Sequence, residues 1–240
     1  MKDLFKAKIT VLALLAVFIL LPSCSGQINA QLIQNGSGSV QLQANLEPNM
    51  TALLRSLRQL GGSGAGPLLD AAAINRSLQA APGISSSALR NSGQEKIEGT
   101  IGISRISDLL NSGANRFIRY EAGSGGASSG KLAIHLDRTI APQILSQISP
   151  EAVDYLSALM APAATGEALS KGEYLLLVES VYGKALAAEI AASTITAAIT
   201  LPGTVKSVKG GTSSGREARF DIPLTDLLVL ERPLDYEITW

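Results

Sequence analysis

Several short stretches of this 240-residue chain carry residue types that do chemistry elsewhere. Gly211-Thr212-Ser213-Ser214-Gly215 fits the pattern in which a strained strand-to-helix turn lifts a nucleophilic serine toward a histidine base. That chemistry needs a histidine after the serine and a helix to follow. His135, the one histidine, lies upstream of Ser213, and a strand pattern follows Gly215, so a hairpin loop is the better reading. The stretch 125–131 fits the first part of a phosphate-binding loop, but Leu132 stands where a Ser or Thr would hold magnesium. The alternation after it is that of a strand, with no helix N-terminus to receive a phosphate. Ser128 and Lys131 fit S-x-x-K inside the same Gly/Ser loop, without the S-D-N or K-T-G partners of that chemistry. His135 falls in the polar phase of an alternating strand, where a solvated or hydrogen-bonded histidine is simpler than a general base. Asp221 and Asp226 flank Ile222-Pro223-Leu224-Thr225; Asp226 reads as a short-helix cap or solvated charge rather than half of a carboxylate pair. With one cysteine and one histidine, zinc would need carboxylates almost alone. No catalytic residue, cofactor or metal site is expected, and the chain is not read as an enzyme.

The one cysteine is Cys24, in Leu21-Pro22-Ser23-Cys24. It follows a basic start (Lys2, Lys6, Lys8, against Asp3) and an apolar run over 9–21 broken by Thr10. A basic start, a short apolar core and small residues before a cut site make a secretory signal. The run is shorter than the roughly 20 residues a spanning helix needs. The Leu-x-Ser-Cys ending resembles the lipobox of bacterial lipoproteins, which implies cleavage before Cys24 and acylation of its sulfur. A single acyl chain binds membranes marginally and two or more anchor stably; lipoproteins of this type carry two or three. The resemblance therefore implies a membrane partner reached through lipidated Cys24. With Ser25 next in the chain, it implies the outer membrane if the envelope is Gram-negative.

Composition excludes other classes. The whole chain has 20 basic and 20 acidic residues, and removing 1–23 leaves a net charge of about −2. A nucleic-acid binder would show a basic patch or stripe, and at 4% aromatic content there is little for bases to stack on. No nucleic-acid partner is expected. A lone cysteine builds no disulfide framework, so burial and hydrogen bonding must hold the domain together.

The elements that would position any site come in a mixed order. In 28–46, Gln31-Leu32-Ile33-Gln34 leads into Asn35-Gly36-Ser37-Gly38, a strong hairpin turn. Val40, Leu42, Ala44 and Leu46 then alternate with Gln41, Gln43 and Asn45, giving one buried and one polar face. A helix over about 48–60 carries Leu53, Leu54, Leu57 and Leu60 on one stripe, stops at 61–66, and is followed by a second over 68–80. The stretch 85–94 reads as a polar loop. Strands are expected over 96–105, 116–121 and 131–137, with 123–130 as a loop, and helices over 140–148 and 150–160 split at Ser149-Pro150. Over 171–193, Leu177, Val181, Ala185, Ala188 and Ala192 suit one helical stripe, while 174–182 also fits a strand; the alanine-rich half favours helix. Strands over 194–201, 204–208, 218–222 and 234–240 close the chain, with a link at 210–215 and a helical turn at 223–228. This order predicts an α+β fold, a mainly antiparallel sheet with helices packed on one face, after a cleaved N-terminal signal helix. The expected layout is signal peptide 1–23, lipidated N-terminus and tether 24–27, and a single α+β domain 28–240 with a helical insertion at about 48–80.

Two ends of the chain resemble the LppM-type domain of bacterial envelope lipoproteins: the strand, Asn35-Gly36-Ser37-Gly38 turn and second strand at the front, and Leu201-Pro202-Gly203 with the run 218–224 and a final strand to Trp240 at the back. The resemblance covers about 28–50 and 194–240. It implies one α+β domain in the envelope and a lipid-handling role, and it brings no catalytic residue.

Two readings of function follow. In one, a membrane-tethered domain binds a lipid or other amphiphile in an apolar cavity between sheet and helix. In the other, a structural or interaction lipoprotein with a filled core meets an unidentified protein partner. The packing behind 175–192 discriminates them: a void favours the first, a filled core the second.

Overall fold

The computed structural model describes residues 24–60, 66–110, 117–123, 126–148 and 150–240. The expected signal peptide and signal helix at 1–23, most of the stop at 61–66, Gly125 and Ser149 lie outside the described residues.

The expected hairpin is present as β1 (Cys24–Leu32) and β2 (Gly38–Leu46). Its turn works as the Asn-Gly pair predicts. Gly36 takes φ 80°, and the Asn35 carboxamide accepts from the Ser37 N–H at 3.0 Å. Strand pairing begins at Cys24, opposite Leu46, so 24–27 belongs to the sheet rather than forming a free tether. The reason is that the alternation runs on: Gly26 lies inward against Ile195, while Ser25 and Gln27 face out.

The larger sheet has the order β3 (Ile84–Asn91), β4 (Lys96–Ile103), β2, β1, β7 (Thr194–Thr200), β10 (Glu217–Pro223), β9 (Thr212–Ser214). The smaller has the order β5 (Ile118–Gly123), β6 (Gly126–Leu136), β11 (Leu234–Thr239), β8 (Ser207–Lys209). β1 and β7 run parallel, with Gly26 opposite Ile195; the other described pairings are antiparallel. The α+β class with mainly antiparallel pairing holds, and its strands divide between two sheets.

The stretch 85–94, expected as a loop, is largely β3. Its Ser85-Ser86-Ser87 run hides the buried Leu89, and partners elsewhere in the chain hold it. The Asn75 carboxamide accepts from the Leu89 N–H at 2.9 Å and donates to the Leu89 carbonyl at 2.7 Å. Most of the expected loop 123–130 likewise joins β6, and the expected link 210–215 contains β9.

The helices are α1 (Pro48–Leu60), α2 (Ala71–Gln79), α3 (Ile106–Leu110), α4 (Ala141–Ile148), α5 (Pro150–Ala158), α6 (Pro162–Thr165), α7 (Lys171–Tyr182), α8 (Lys184–Ala192) and α9 (Leu224–Val229). The stretch 174–182 is helix, not strand. The single helix expected over 171–193 is broken at Gly183, at φ 90° and ψ 160°, a conformation that glycine reaches without strain. The break changes the phase. Tyr174, Val178, Leu186, Ala187 and Ile190 are buried, whereas the predicted stripe turns outward, with Val181 54% exposed and Ala185, Ala188 and Ala192 exposed. Ser170 starts α7 through a reciprocal cap: its hydroxyl accepts from the Glu173 N–H, and Glu173 accepts from the Ser170 N–H at 2.8 Å.

One face of the larger sheet is covered twice over. Helices lie over β3, β4, β2 and β1, and Met50, Leu54, Leu78, Tyr174, Val178 and Ile190 share one core with Val40, Leu42, Ala44, Ile97 and Ile101. The smaller sheet covers β7 and β10, where Ala218 and Phe220 meet Tyr120, Ile238 and Trp240, the rings of Tyr120 and Trp240 stacked at 6.2 Å between centroids. Both helices of the stretch expected as an insertion, α1 and α2, pack into the main core.

Candidate functional site

The other face of the larger sheet is bare among the described residues, and its centre is built by the first hairpin. Because β1 and β2 alternate in register, Gln27 lies opposite Gln43 and Asn29 opposite Gln41. The neighbouring strands continue both rows. Thr196 on β7 and Glu98 and Arg90 on β4 and β3 extend the Gln27–Gln43 row; Ala198, Thr100 and Ala88 extend the Asn29–Gln41 row. A groove of about 660 Å³ opens here, lined by Gln27, Asn29, Gln41, Gln43, Ala88, Arg90, Glu98, Gly99 and Thr100, with Leu42 beneath. The short side chains of Ala88, Gly99 and Thr100 leave the depression beside the longer carboxamides.

At one side of the groove two cations share one carboxylate. Arg90 Nη2 donates to Glu98 Oε1 at 2.8 Å, and Lys96 Nζ lies 2.7 Å from Glu98 Oε2. The Lys96 hydrogen bond, joined by that of Arg90, holds the Glu98 carboxyl below the usual carboxylate range. By contrast, the carboxamides of Gln27, Asn29, Gln41 and Gln43 have no side-chain hydrogen bond within the protein among the described residues. Each offers two donors and an acceptor to whatever meets the face.

Residues singled out in the sequence fall elsewhere. Cys24 opens β1 at the end of the sheet where α8 runs into β7. Glu189 of α8 accepts from the N–H groups of Asn49 at 3.0 Å and Met50 at 2.8 Å, tying α8 to the start of α1. Ser213 is an exposed residue of the edge strand β9, opposite Ala218. Gly130 and Lys131 lie within β6, where Lys131 pairs with Glu237 at 2.9 Å, so the chain there is extended rather than looped around an anion. Asp221 accepts from Thr196 Oγ1 at 2.9 Å, and Asp226 pairs with Lys171 at 2.5 Å; each carboxylate has its own partner. No group of three or more potential metal ligands gathers among the described residues.

His135 has more company than its strand position suggested. Its Nδ1 lies 2.6 Å from Asp235 Oδ1 and its Nε2 3.3 Å from Asp137 Oδ2. The Asp235 hydrogen bond, assisted by Asp137, raises the imidazole above its ordinary value. Asp137 is itself held low, chiefly by the N–H of Ile140 at 2.9 Å. The cluster pins β6 to β11, the two inner strands of the smaller sheet.

The signal for the groove was present in the sequence as three amides on each strand: Gln27, Asn29 and Gln31, then Gln41, Gln43 and Asn45. They read as a polar phase. Only the register shows that they form one uncharged field.

No family model matches the chain, and no curated protein matches it. Among solved structures it is similar to the NMR structure of the folded domain of the Mycobacterium tuberculosis LppM protein, at a TM-score of 0.39 and 9% identity, covering 90% of this chain and 88% of that one. The likeness expected at the two ends is thus found as a loose one spread over most of both chains, and at that score it transfers neither ligand nor site.

Proposed function

We propose that this chain is a lipid-anchored protein of the cell envelope, tethered through Cys24, that acts without catalysis through the exposed face of its larger sheet rather than by enclosing an amphiphile. The lipobox resemblance supports the anchor. No helix among the described residues is long and apolar enough to cross a membrane, so an anchor elsewhere in the described chain would have to be of another kind.

The observation that carries the surface reading is the packing behind α7 and α8. Tyr174, Val178, Ile190, Met50 and Leu78 have no surface that a water-sized sphere can reach. A chamber for an acyl chain is far larger than one water, and it would leave such surface on the side chains lining it. A groove of about 660 Å³ lies on the opposite face and has a mixed polar lining. This favours the interaction reading over the amphiphile carrier.

Native mass spectrometry of the protein purified from its own envelope tests both halves. The expected spectrum shows a chain beginning at Cys24 with covalent acyl mass and no second, non-covalent lipid. An unmodified Cys24 overturns the anchor; a stoichiometric non-covalent lipid overturns the surface reading.

A further inference from the structure

We propose that the end of the larger sheet that carries Cys24 is a bilayer-facing base, on which the domain stands with its strands upright. The inference rests on the anchor reading above and deepens it by naming the surface that meets the lipid. Its first ground is the missing tether. Pairing starts at Cys24, opposite Leu46, and Ser25, Gly26 and Gln27 continue it. Four free residues would let the domain drift up to about 14 Å from the acylated sulfur; paired ones allow no such play. The acyl chains reach hydrocarbon through a head-group layer only about 5–8 Å deep, so the sheet end lies against that layer.

The second ground is the shape of that end. Cys24 stands level with Leu46, where β2 stops, and Asn45 faces Lys96, where β4 starts. Asn91, the last residue of β3, faces Ile97. On the other side Gly26 faces Ile195, one residue into β7, and Thr194 faces Pro223, where β10 stops. Six of the seven strands therefore end within two residues of one level. β1 is the middle strand of the seven, so the anchor hangs from the centre of the base. A tilt across the strands would lift one side of the base and press the other into the head groups. Helix ends deepen the base on the covered side of the sheet: α1 starts at Pro48, just past Leu46, α8 stops at Ala192, just before Thr194, and α9 starts at Leu224, just past Pro223. Exposed residues at this end include Asn49, Ser92, Gln94 and Ala192, which are polar or small and suit contact with head groups rather than insertion between acyl chains. Standing so, the protein turns the bare face of the larger sheet sideways, along the membrane. It holds the Asn35-Gly36 turn about 30 Å above the base, the length of the nine-residue β1.

The test places the full-length acylated protein in vesicles of phosphatidylethanolamine and phosphatidylglycerol and reads heights by energy transfer to acceptors on the lipid head groups. With the Cys24 sulfur acylated, a single added cysteine takes the donor dye alone. Ser92→Cys and Ala192→Cys put the dye at the base, and Gln34→Cys and Ser214→Cys at the far end, all at exposed positions. The base dyes should lie at the head groups and the far dyes about 20–30 Å higher. A Gly/Ser linker inserted after Ser25 should bring the four heights together. Gadolinium-bearing lipids give the same reading without substitution, even if a variant fails to fold: they should broaden the amide signals of 92–95 and spare those of 33–37. Equal heights for the four dyes, a base higher than the far end, or heights that the linker leaves unchanged would overturn the proposal. An unacylated Cys24 would sink the anchor and this orientation together; an acylated protein with equal heights would sink the orientation alone.

Discussion

The two faces of the larger sheet are made by the same strands and have nothing else in common. Inward, β2 presents Val40, Leu42, Ala44 and Leu46, all buried under helices; outward, it presents Gln41 and Gln43, both exposed. Ile97 and Glu98 are neighbours on β4, one with no accessible surface and one on the rim of a groove. A period-2 strand therefore separates two tasks at single-residue resolution. Inward side chains stabilise the domain by about 25 cal/mol for each Å² of apolar surface removed from water. Outward ones contribute little to folding, so they are free to be chosen for what they bind. The difference teaches that substitutions one residue apart should have effects of different kind, and each prediction below either breaks or sharpens that division.

The largest effect is expected at Ile97. Ile97→Ala leaves a hole between β4 and the helices, and should cost about 2–5 kcal/mol in denaturant unfolding; a loss under about 1 kcal/mol would mean the inner face is loosely packed. Next comes Glu189, whose carboxylate satisfies two N–H groups at the start of α1. Glu189→Ala should cost about 1–3 kcal/mol by leaving those donors unpaired, read in the same unfolding curve.

The inner face also has a flaw. The Tyr174 hydroxyl is buried without a hydrogen-bond partner among the described residues, and burial pushes its phenol well above the ordinary value. Tyr174→Phe removes an unsatisfied group while keeping the ring, so it should be neutral or stabilising by about 1 kcal/mol. A clear loss of stability would show that the hydroxyl has a partner in solution.

A smaller effect is expected where the second sheet meets solvent. The His135 imidazole is raised above its ordinary 6.5 chiefly by the Asp235 hydrogen bond, with desolvation opposing and Asp137 assisting. A raised value means the stabilisation is fully present below pH 6.5 and is lost as pH rises through the folded-state value. The Tm of the protein should therefore fall slightly between pH 6.5 and 8.5 relative to His135→Gln, and the half-exposed side chain keeps the effect small. A Tm difference that grows with pH would refute the ion cluster.

Much of this was legible along the chain, and the rest was not for identifiable reasons. The first hairpin declared itself through Asn35-Gly36 and strict alternation, and the closing strands through β-branched runs between glycines, because each signal is local. β3 did not, because as an edge strand it is mostly polar around the buried Leu89 and depends on hydrogen bonds of Asn75 on α2 and Asn91 at its own end. The outward turn of Val181, Ala185, Ala188 and Ala192 was hidden by one residue: an alanine-rich run reads as continuous helix, and Gly183 resets its phase. The groove is the least local feature. Its amides are visible in sequence, but their meeting depends on β1 lying beside both β2 and the distant β7, and on β4 and β3 widening the field. Registers between segments so far apart follow from packing and not from composition.

The division between the two faces is tested most directly by the unfolding free energy of the variant Gln27→Thr, Asn29→Thr, Gln41→Thr, Gln43→Thr. Threonine suits strands at least as well as the amides it replaces. The account predicts a stability within about 1 kcal/mol of the unaltered protein, as expected for a face that serves binding alone. A loss of about 3 kcal/mol or more would contradict it, by showing that the amides hold the sheet together.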